Sequence, residues 1–394
     1  MSMQKVVVCK GSDGYNSTKK SLMGLHIDTG KLKNKKILIK PNAGRLVDKD
    51  LGINTSPDVV AGVIDFFKEA GVHGLTVGES PIMGVKALNS LKQCGISQVA
   101  LERGVKLLDL DSAPPVVVKI ENGKVIDRLK VCRGAVDADY IVSVPVIKTH
   151  MHTQVSLGLK NMKGCLYKKE KVKLHQLPFS DKIIPPAKSL DAAVADMSNI
   201  LLPNLTVIDG TIAQEGLGPS AGAPVPMGVI IASENCLAAD WVAVRLMGFD
   251  PVKVHHLQLA IESLKRRSDS FDIDNDSLVV EPADYMKWKV DLKSPPKKIS
   301  LEFLNVKVED KDSCSACLST VLMFLQRHYK DFADYFSEEN PLHIAIGKGI
   351  GKQPENALLI GNCTFNQKGG NIFVKGCPPV ASEIKAALFK KIKK

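Results

Sequence analysis

Aromatic residues make up only 5% of this 394-residue chain, and no apolar run approaches the length needed to span a bilayer. The first shortage removes the stacking platforms on which single-stranded nucleic-acid binders rely, and no nucleic-acid module is recognisable. The second leaves no membrane-spanning segment to expect. Met1 to Cys9 lacks the apolar core and small-residue cleavage site of a signal peptide and reads instead as a first strand. Nine cysteines, an odd number in a chain without such a signal, argue against a disulfide framework and for a reducing, cytoplasmic setting. Internal repeats and low-complexity tracts are also missing. Acidic residues are scarce where it matters most. Between Pro145 and His175 the lysines Lys148, Lys160, Lys163, Lys168, Lys169, Lys171 and Lys173 face one acid, Glu170. The net charge of +11 is therefore concentrated, which suits a small anionic ligand better than nucleic acid. A second basic run, Lys390-Lys391 and Lys393-Lys394, reads as the solvated end of a helix whose apolar side is Ile384, Leu388 and Ile392.

With 44% hydrophobic residues the chain can bury a substantial core, and strand-like runs alternate with helix-like ones in the manner of an α/β fold with a largely parallel sheet. Lys36 to Lys40 is an apolar strand leading into the loop Pro41-Asn42-Ala43-Gly44. The helix that follows is capped by Ser56, begins at Pro57, buries Val60, Val63, Ile64 and Phe67, and ends near Gly71. Leu75 to Val77, Tyr140 to Val146, Leu205 to Ile208 and Met227 to Ala232 are further strands, and Cys236 to Met247 is a helix stopped by Gly248. Val116 to Ile120 and Val125 to Val131 form a hairpin around Asn122-Gly123. A polar, proline-bearing stretch from about Glu281 to Ser300 marks a domain boundary. The expected architecture is a large, mostly parallel α/β domain over residues 1–290, followed by a smaller α/β, cysteine-rich, metal-binding domain over residues 300–394.

Four cysteines carry the second domain. Cys314 and Cys317 form a Cys-x2-Cys pair ahead of a helix packing Leu318, Val321, Leu322 and Leu325, while Cys363 and Cys377 each close a short apolar strand through a glycine. If those two strands lie parallel, both thiols emerge at one sheet edge, where the loop of Cys314 and Cys317 meets them. Four thiolates suit a [4Fe-4S] cluster or a structural zinc ion. Read without a metal, they are small buried hydrophobes. The turn Gly347-Lys348-Gly349-Ile350-Gly351-Lys352 lies in the same domain, beside that metal site.

In open α/β sheets ligands gather at the carboxyl ends of the strands. Lys40, Asn42, Glu79, Ser80, Lys148, His150, Asp209 and Glu215 fall in loops there, with Lys160 and Lys163 nearby. His150 suits a proton acceptor, and Lys40, Lys148 and Lys160 suit the fixing of a carboxylate or phosphate. Lys163 adds a further cation. Cys165, beside these lysines, is a candidate nucleophile with a lowered pKa. Gly216 to Gly222 is a weak candidate phosphate loop, because it misses the dinucleotide spacing and Pro224 and Pro226 prevent an immediate helix.

In chain order, Ile39-Lys40-Pro41-Asn42, Ala138 to Pro145 leading to Lys148-Thr149-His150, and Gly158-Leu159-Lys160-Asn161-Met162-Lys163-Gly164 are followed by Val207-Ile208-Asp209-Gly210, Glu215 to Pro219, Ala238-Ala239-Asp240 and Met247 to Pro251. The series resembles the domain of unknown function 362 family, a prokaryotic group, over roughly residues 35 to 255. Many members of that family carry a bacterial ferredoxin segment; here the four-cysteine tail takes its place, which by resemblance supports a single cluster. The spacing of His150 and Gly158-Leu159-Lys160 also resembles, more weakly, that of nickel-dependent lactate racemase. The Gly-Gly-Arg that precedes that family's attachment lysine is missing, so the nickel cofactor does not carry over. What the resemblance implies is a strand end presenting histidine and lysine to an anion. The expectation is an iron-sulfur protein, a redox or cluster-dependent enzyme acting on a small anionic metabolite through His150, Lys160 and Lys148. Two alternatives stand: a non-catalytic electron-transfer protein serving a redox partner protein, and a zinc-stapled ligand-binding protein.

Overall fold

The computed structural model describes residues 3–178, 180–220, 222–267, 272–295, 303–311, 313 and 315–392. The chain divides into two compact units, one of Met1–Leu174 and Ser180–Pro295, the other of His175–Phe179 and Pro296–Lys394. The first unit holds strands β1 (Gln4–Lys10), β2 (Ile37–Pro41), β3 (Leu75–Glu79), β4 (Lys106–Asp109), β5 (Val116–Lys119), β6 (Arg128–Val131), β7 (Tyr140–Val144), β8 (Val146–His150), β9 (Gln154–Ser156), β10 (Leu205–Glu215), β11 (Ala223–Ser233) and β12 (Leu278–Glu281). Its main sheet runs β12-β1-β11-β10-β7-β2-β3-β4, and β8 pairs with both β10 and β9. Most neighbours are parallel; β1–β11, β10–β11 and β8–β9 are antiparallel.

One face of this sheet packs Val7, Ile37, Ile39, Val77, Val142, Val144 and Val207 against Leu22, Val60, Ile64 and Phe67 from two helices. The helix Pro57–Glu69 starts where its sequence says it should, with Ser56 Oγ accepting from the Asp58 N–H at 3.3 Å. Because side chains alternate along a strand, Lys40 and Ser143, which are register partners on β2 and β7, point away from that apolar layer. This alternation places charged chemistry on the second face of a buried sheet.

Two local expectations are corrected. Tyr140 to Val146 is not one strand: Pro145 has no N–H for the ladder, so β7 stops at Val144 and β8 resumes along the same neighbour, β10. Lys148 and His150 therefore sit on a strand and not in a loop. The second strand of the small hairpin begins at Arg128, three residues later than the pattern suggests. The Asp196 carboxylate accepts from the N–H groups of Lys124, Val125 and Ile126, which removes them from ladder pairing. The strand of Leu205 to Ile208 likewise extends to Glu215, as half of a long ribbon with β11.

The second unit is a four-stranded parallel sheet, β13 (Val306–Asp310), β14 (Leu342–Ile346), β15 (Leu358–Ile360) and β16 (Ile372–Val374), in the order β13-β14-β15-β16. Val321, Phe324 and Leu325 of the helix Ser315–Phe332 and Ile384 and Leu388 of the helix Ala381–Ile392 cover it, giving a core separate from that of the first unit. No helix among the described residues is long and apolar enough to cross a membrane.

Candidate anion site and cysteine edge

Lys40 is among the largest fully buried side chains of the described residues, and its partner Glu79, at the end of β3, is equally hidden. The two make an ion pair at 2.9 Å. Lys40 Nζ also donates to the Pro41 carbonyl at 2.6 Å, while the Glu79 carboxylate accepts from the N–H groups of Ala43 at 2.7 Å and Ser80 at 2.8 Å. Asn161 completes the group: its Nδ2 donates to the Lys40 carbonyl at 3.1 Å and to Ser143 Oγ at 3.0 Å. Gly164 lies directly over the pair. A Cβ at that position would sit 2.5 Å from both Cε and Nζ of Lys40 and 2.9 Å from Glu79 Oε1.

Beside this pair stand three further buried lysines, Lys148, Lys160 and Lys163. Lys148 Nζ donates to the Ile53 carbonyl at 2.7 Å and to Asn42 Oδ1, both neutral acceptors, and burial, assisted by Arg45, lowers its pKa to about 7. Burial likewise brings Lys163 down to about 7, with Lys171 adding repulsion. Lys160 is pushed well below the ordinary lysine value by burial first and then by Lys163 and Lys148. Its ammonium makes no hydrogen bond or ion pair with any described residue, although the side chain is only 7% exposed. The short helix Gly158–Asn161 that carries Lys160 is anchored by Asp240, which accepts from the Gly158 N–H at 2.7 Å and the Leu159 N–H at 2.9 Å. A Cβ on Gly158 would lie 2.8 Å from Asp240 Oδ1, so only glycine fits this anchor.

His150 is 4% exposed, and its Nδ1 accepts from the backbone N–H groups of His152 at 3.1 Å and Thr153 at 3.4 Å. In the neutral ring that arrangement puts the proton on Nε2. Ser80 Oγ donates to Asp111 Oδ2 at 2.8 Å and receives the Lys171 ammonium, which links β3 to the lysine-rich segment. The remaining residues expected at the rim are engaged elsewhere. Asp209 ties the start of the helix Pro57–Glu69 to β10, accepting from the Ser56 N–H at 2.7 Å and from Thr211 Oγ1 at 2.6 Å. Glu215 accepts from the Lys293 N–H at 2.8 Å. Cys165 is wholly buried, and burial pushes its thiol up to about 12, the reverse of what a nucleophile needs. The glycine loop after β10 packs on β8: a Cβ on Gly218 would meet the Thr149 carbonyl at 2.0 Å, so its glycine admits close backbone approach. The structure thus brings together Lys40, Asn42, Glu79, Lys148, Lys160 and Lys163, and adds Asn161, Gly164 and Asp240 to the residues that residue type alone singled out. The signal for those three lay in the Gly158 to Gly164 and Ala238 to Asp240 motifs, where a bare glycine or an isolated acid has a packing task.

In the second unit β15 and β16 are parallel, and the residues after them are joined: the Asn362 N–H donates to the Gly376 carbonyl at 2.8 Å and the Gly376 N–H to Asn362 Oδ1 at 2.9 Å. Cys363 and Cys377, both exposed, follow at this edge. Cys317 is buried against it, its Sγ 3.1 Å from where a Cβ on Gly361 would lie. Gln176 Nε2 donates to Cys377 Sγ at 3.2 Å. Gly349 N–H reaches the Lys311 carbonyl at 3.1 Å, so the glycine turn after β14 borders the segment that leads to Cys314. Cys314 itself lies outside the described residues, and among those described no group of three or more His, Cys, Asp or Glu side chains is arranged to hold a metal ion.

A family model described as Domain of unknown function (DUF362) matches residues 37–245, more than half of the chain and the whole of the segment that builds the lysine cluster. The chain belongs to this family. Within DUF362 the Lys40–Glu79 pair, the anchored Gly158–Asn161 helix and the lysines around them all fall inside the matched region. A thylakoid-associated protein of Synechocystis sp. is 28% identical over 229 residues, which is 56% of this chain and 65% of that protein, so the chain spans less than two thirds of that relative's length. Among solved structures, this DUF362 chain is similar to the lactate racemase apoprotein of Thermoanaerobacterium thermosaccharolyticum, with a TM-score of 0.41 and 12% identity over 63% of this chain and 57% of that one. A Thermotoga maritima protein is similar at a TM-score of 0.37 and 18% identity, over 60% of each chain.

Proposed function

We propose that this protein is a cytoplasmic enzyme that acts on a small anionic metabolite held by Lys148, Lys160 and Lys163, and that its second unit carries a [4Fe-4S] cluster. The observation that carries the anion site is Lys160: an amine on a side chain only 7% exposed, beside Lys163 and Lys148, with no described carboxylate within ion-pair distance and only Asp191 acting on it from farther off. Burial and mutual repulsion hold these amines toward their neutral form, and an anion entering from solution restores their charge by pairing with it. His150, on the same strand as Lys148, is the proton-transfer group of this reading. Lys40 is already neutralised by Glu79 and shapes the site without binding the anion.

The cluster reading is supported by the chemistry of the donors: Cys363 and Cys377 follow the parallel strands β15 and β16, Cys317 Sγ lies 3.1 Å from where a Cβ on Gly361 would be, and Cys314 completes the Cys-x2-Cys pair in the sequence. Bound there, such a cluster would supply one-electron redox chemistry. Two measurements test the whole. Calorimetric titration with sulfate should show binding by the native chain and at least tenfold weaker binding by Lys160→Met, about 1.4 kcal/mol, with an unchanged circular dichroism spectrum. Absence of sulfate and phosphate binding to the native chain refutes the anion site. Protein purified without oxygen should be brown and carry about four irons per chain, lost in Cys363→Ser. One zinc per chain and no visible absorption would replace the cluster by the zinc-stapled alternative.

A further inference from the structure

The side chain of Gln214 is completely buried, 0% exposed, yet neither its Nε2 nor its Oε1 has a hydrogen-bond partner. Gln214 lies on β10 as the register partner of Lys148 on β8. Partners across a parallel ladder present their side chains to the same face, so this carboxamide lies on the side of the sheet that bears Lys148 and, two residues on, His150. A second unpaired polar atom lies on the residue next to one that holds the same cation. Asn54 donates through Nδ2 to the Arg45 carbonyl at 2.8 Å but leaves a buried Oδ1 without a partner, and the preceding residue, Ile53, gives its carbonyl to Lys148. Gly222 packs against the Gln214 stem, since a Cβ there would be 2.8 Å from Gln214 Cγ.

Leaving both ends of a buried amide unpaired is costly, and native interiors rarely do so without a ligand, a water or a function to account for it. A carboxamide offers one acceptor and a pair of donors. Its complement is a neutral group that both donates and accepts. We propose that Gln214 is a specificity-determining residue of the anion site, and that the ligand is a small anion with a hydroxyl or carboxamide group next to its charge. The charge pairs with Lys148 and its neighbours, and the neutral group satisfies Gln214. This inference rests on the anion site proposed above and adds the class of molecule it takes.

The test compares acetate with glycolate, which differ by one hydroxyl, by calorimetric titration of the native chain and of Gln214→Met. The native chain should bind glycolate at least about tenfold more tightly than acetate, because a site built to hydrogen-bond a hydroxyl rejects the analogue lacking it. Gln214→Met should bind both with the affinity of acetate. It should also melt higher in the absence of ligand, as an apolar side chain removes the unpaired amide. Gln214→Glu provides a second variant, with a carboxylate that repels both acids. Equal affinity of the native chain for the two acids, a preference surviving in Gln214→Met, or unchanged binding by Gln214→Glu would each overturn the role of Gln214 while sulfate binding still stood. Loss of sulfate, acetate and glycolate binding alike would instead remove the anion site, and this inference with it.

Discussion

Replacing Lys40 by methionine tests whether the floor of the site is the ion pair described above. The side chains of Lys40 and Glu79 are 1% and 2% exposed and 2.9 Å apart. Methionine keeps most of the stem volume but leaves the Glu79 carboxylate buried without its ion-pair partner, hydrogen-bonded by the N–H groups of Ala43 and Ser80. Removing one partner of a buried pair costs about 3–5 kcal/mol. For a folded unit of this size each kcal/mol lowers the melting temperature by roughly 2–4 °C, so the variant should melt about 6–20 °C lower. Thermal unfolding followed by circular dichroism reads this directly. The double variant Lys40→Met/Glu79→Leu should recover most of the loss, because replacing both charges with apolar groups of similar volume is close to neutral. A Lys40→Met protein within about 1 kcal/mol of native stability, or a double variant less stable than the single one, would refute the buried pair as the element that organises this face.

Gly164→Ala should destabilise the fold by about 1–3 kcal/mol in urea, the usual cost of forcing volume into a packed site, because its Cβ would press on the held Lys40 ammonium. Gly44→Ala, where a Cβ meets nothing within 4 Å, is the matched control and should be nearly neutral. Sulfate affinity should fall as pH rises through about 7, since Lys148 and Lys163, lowered to about 7 by burial, carry their charge only below that value. The same shift acts on stability with the opposite sign. Between about pH 7 and 10.5 the unfolded chain binds more protons than the native one, so these two groups make the ligand-free fold more stable as pH rises across that window. Calorimetry at several pH values and urea unfolding without sulfate measure the two trends separately.

Several of the strands and helices were legible along the chain because each is a local matter. Ser56-Pro57 and Gly71 bound one helix, and Gly248 ends another, through conformations that need no distant partner. The parallel pairing of the strands ending at Cys363 and Cys377 was legible as well, from two matching apolar runs closed by glycine. Residue type also pointed to the lysines near β8. What it could not decide was which of the strand-end charges are already matched. Lys40 and Glu79 find each other across 39 positions, and Asp209 is drawn to Ser56 across 153, so neither carboxylate is open to a ligand. Lys160, in the same stretch of lysines as Lys168, becomes unusual only once Asp240, 80 positions away in the chain, fixes its helix inside the fold. Nothing in the sequence around Gln214 marks it. Its buried, unpaired amide exists only because β10 runs beside β8 in a register that hides it next to Lys148. Sequence determines the elements and the supply of charge through local propensity and periodicity. Tertiary structure decides which charges are neutralised and which wait for a ligand, because burial and long-range pairing set the energy of an ion far more than its neighbours in the chain do.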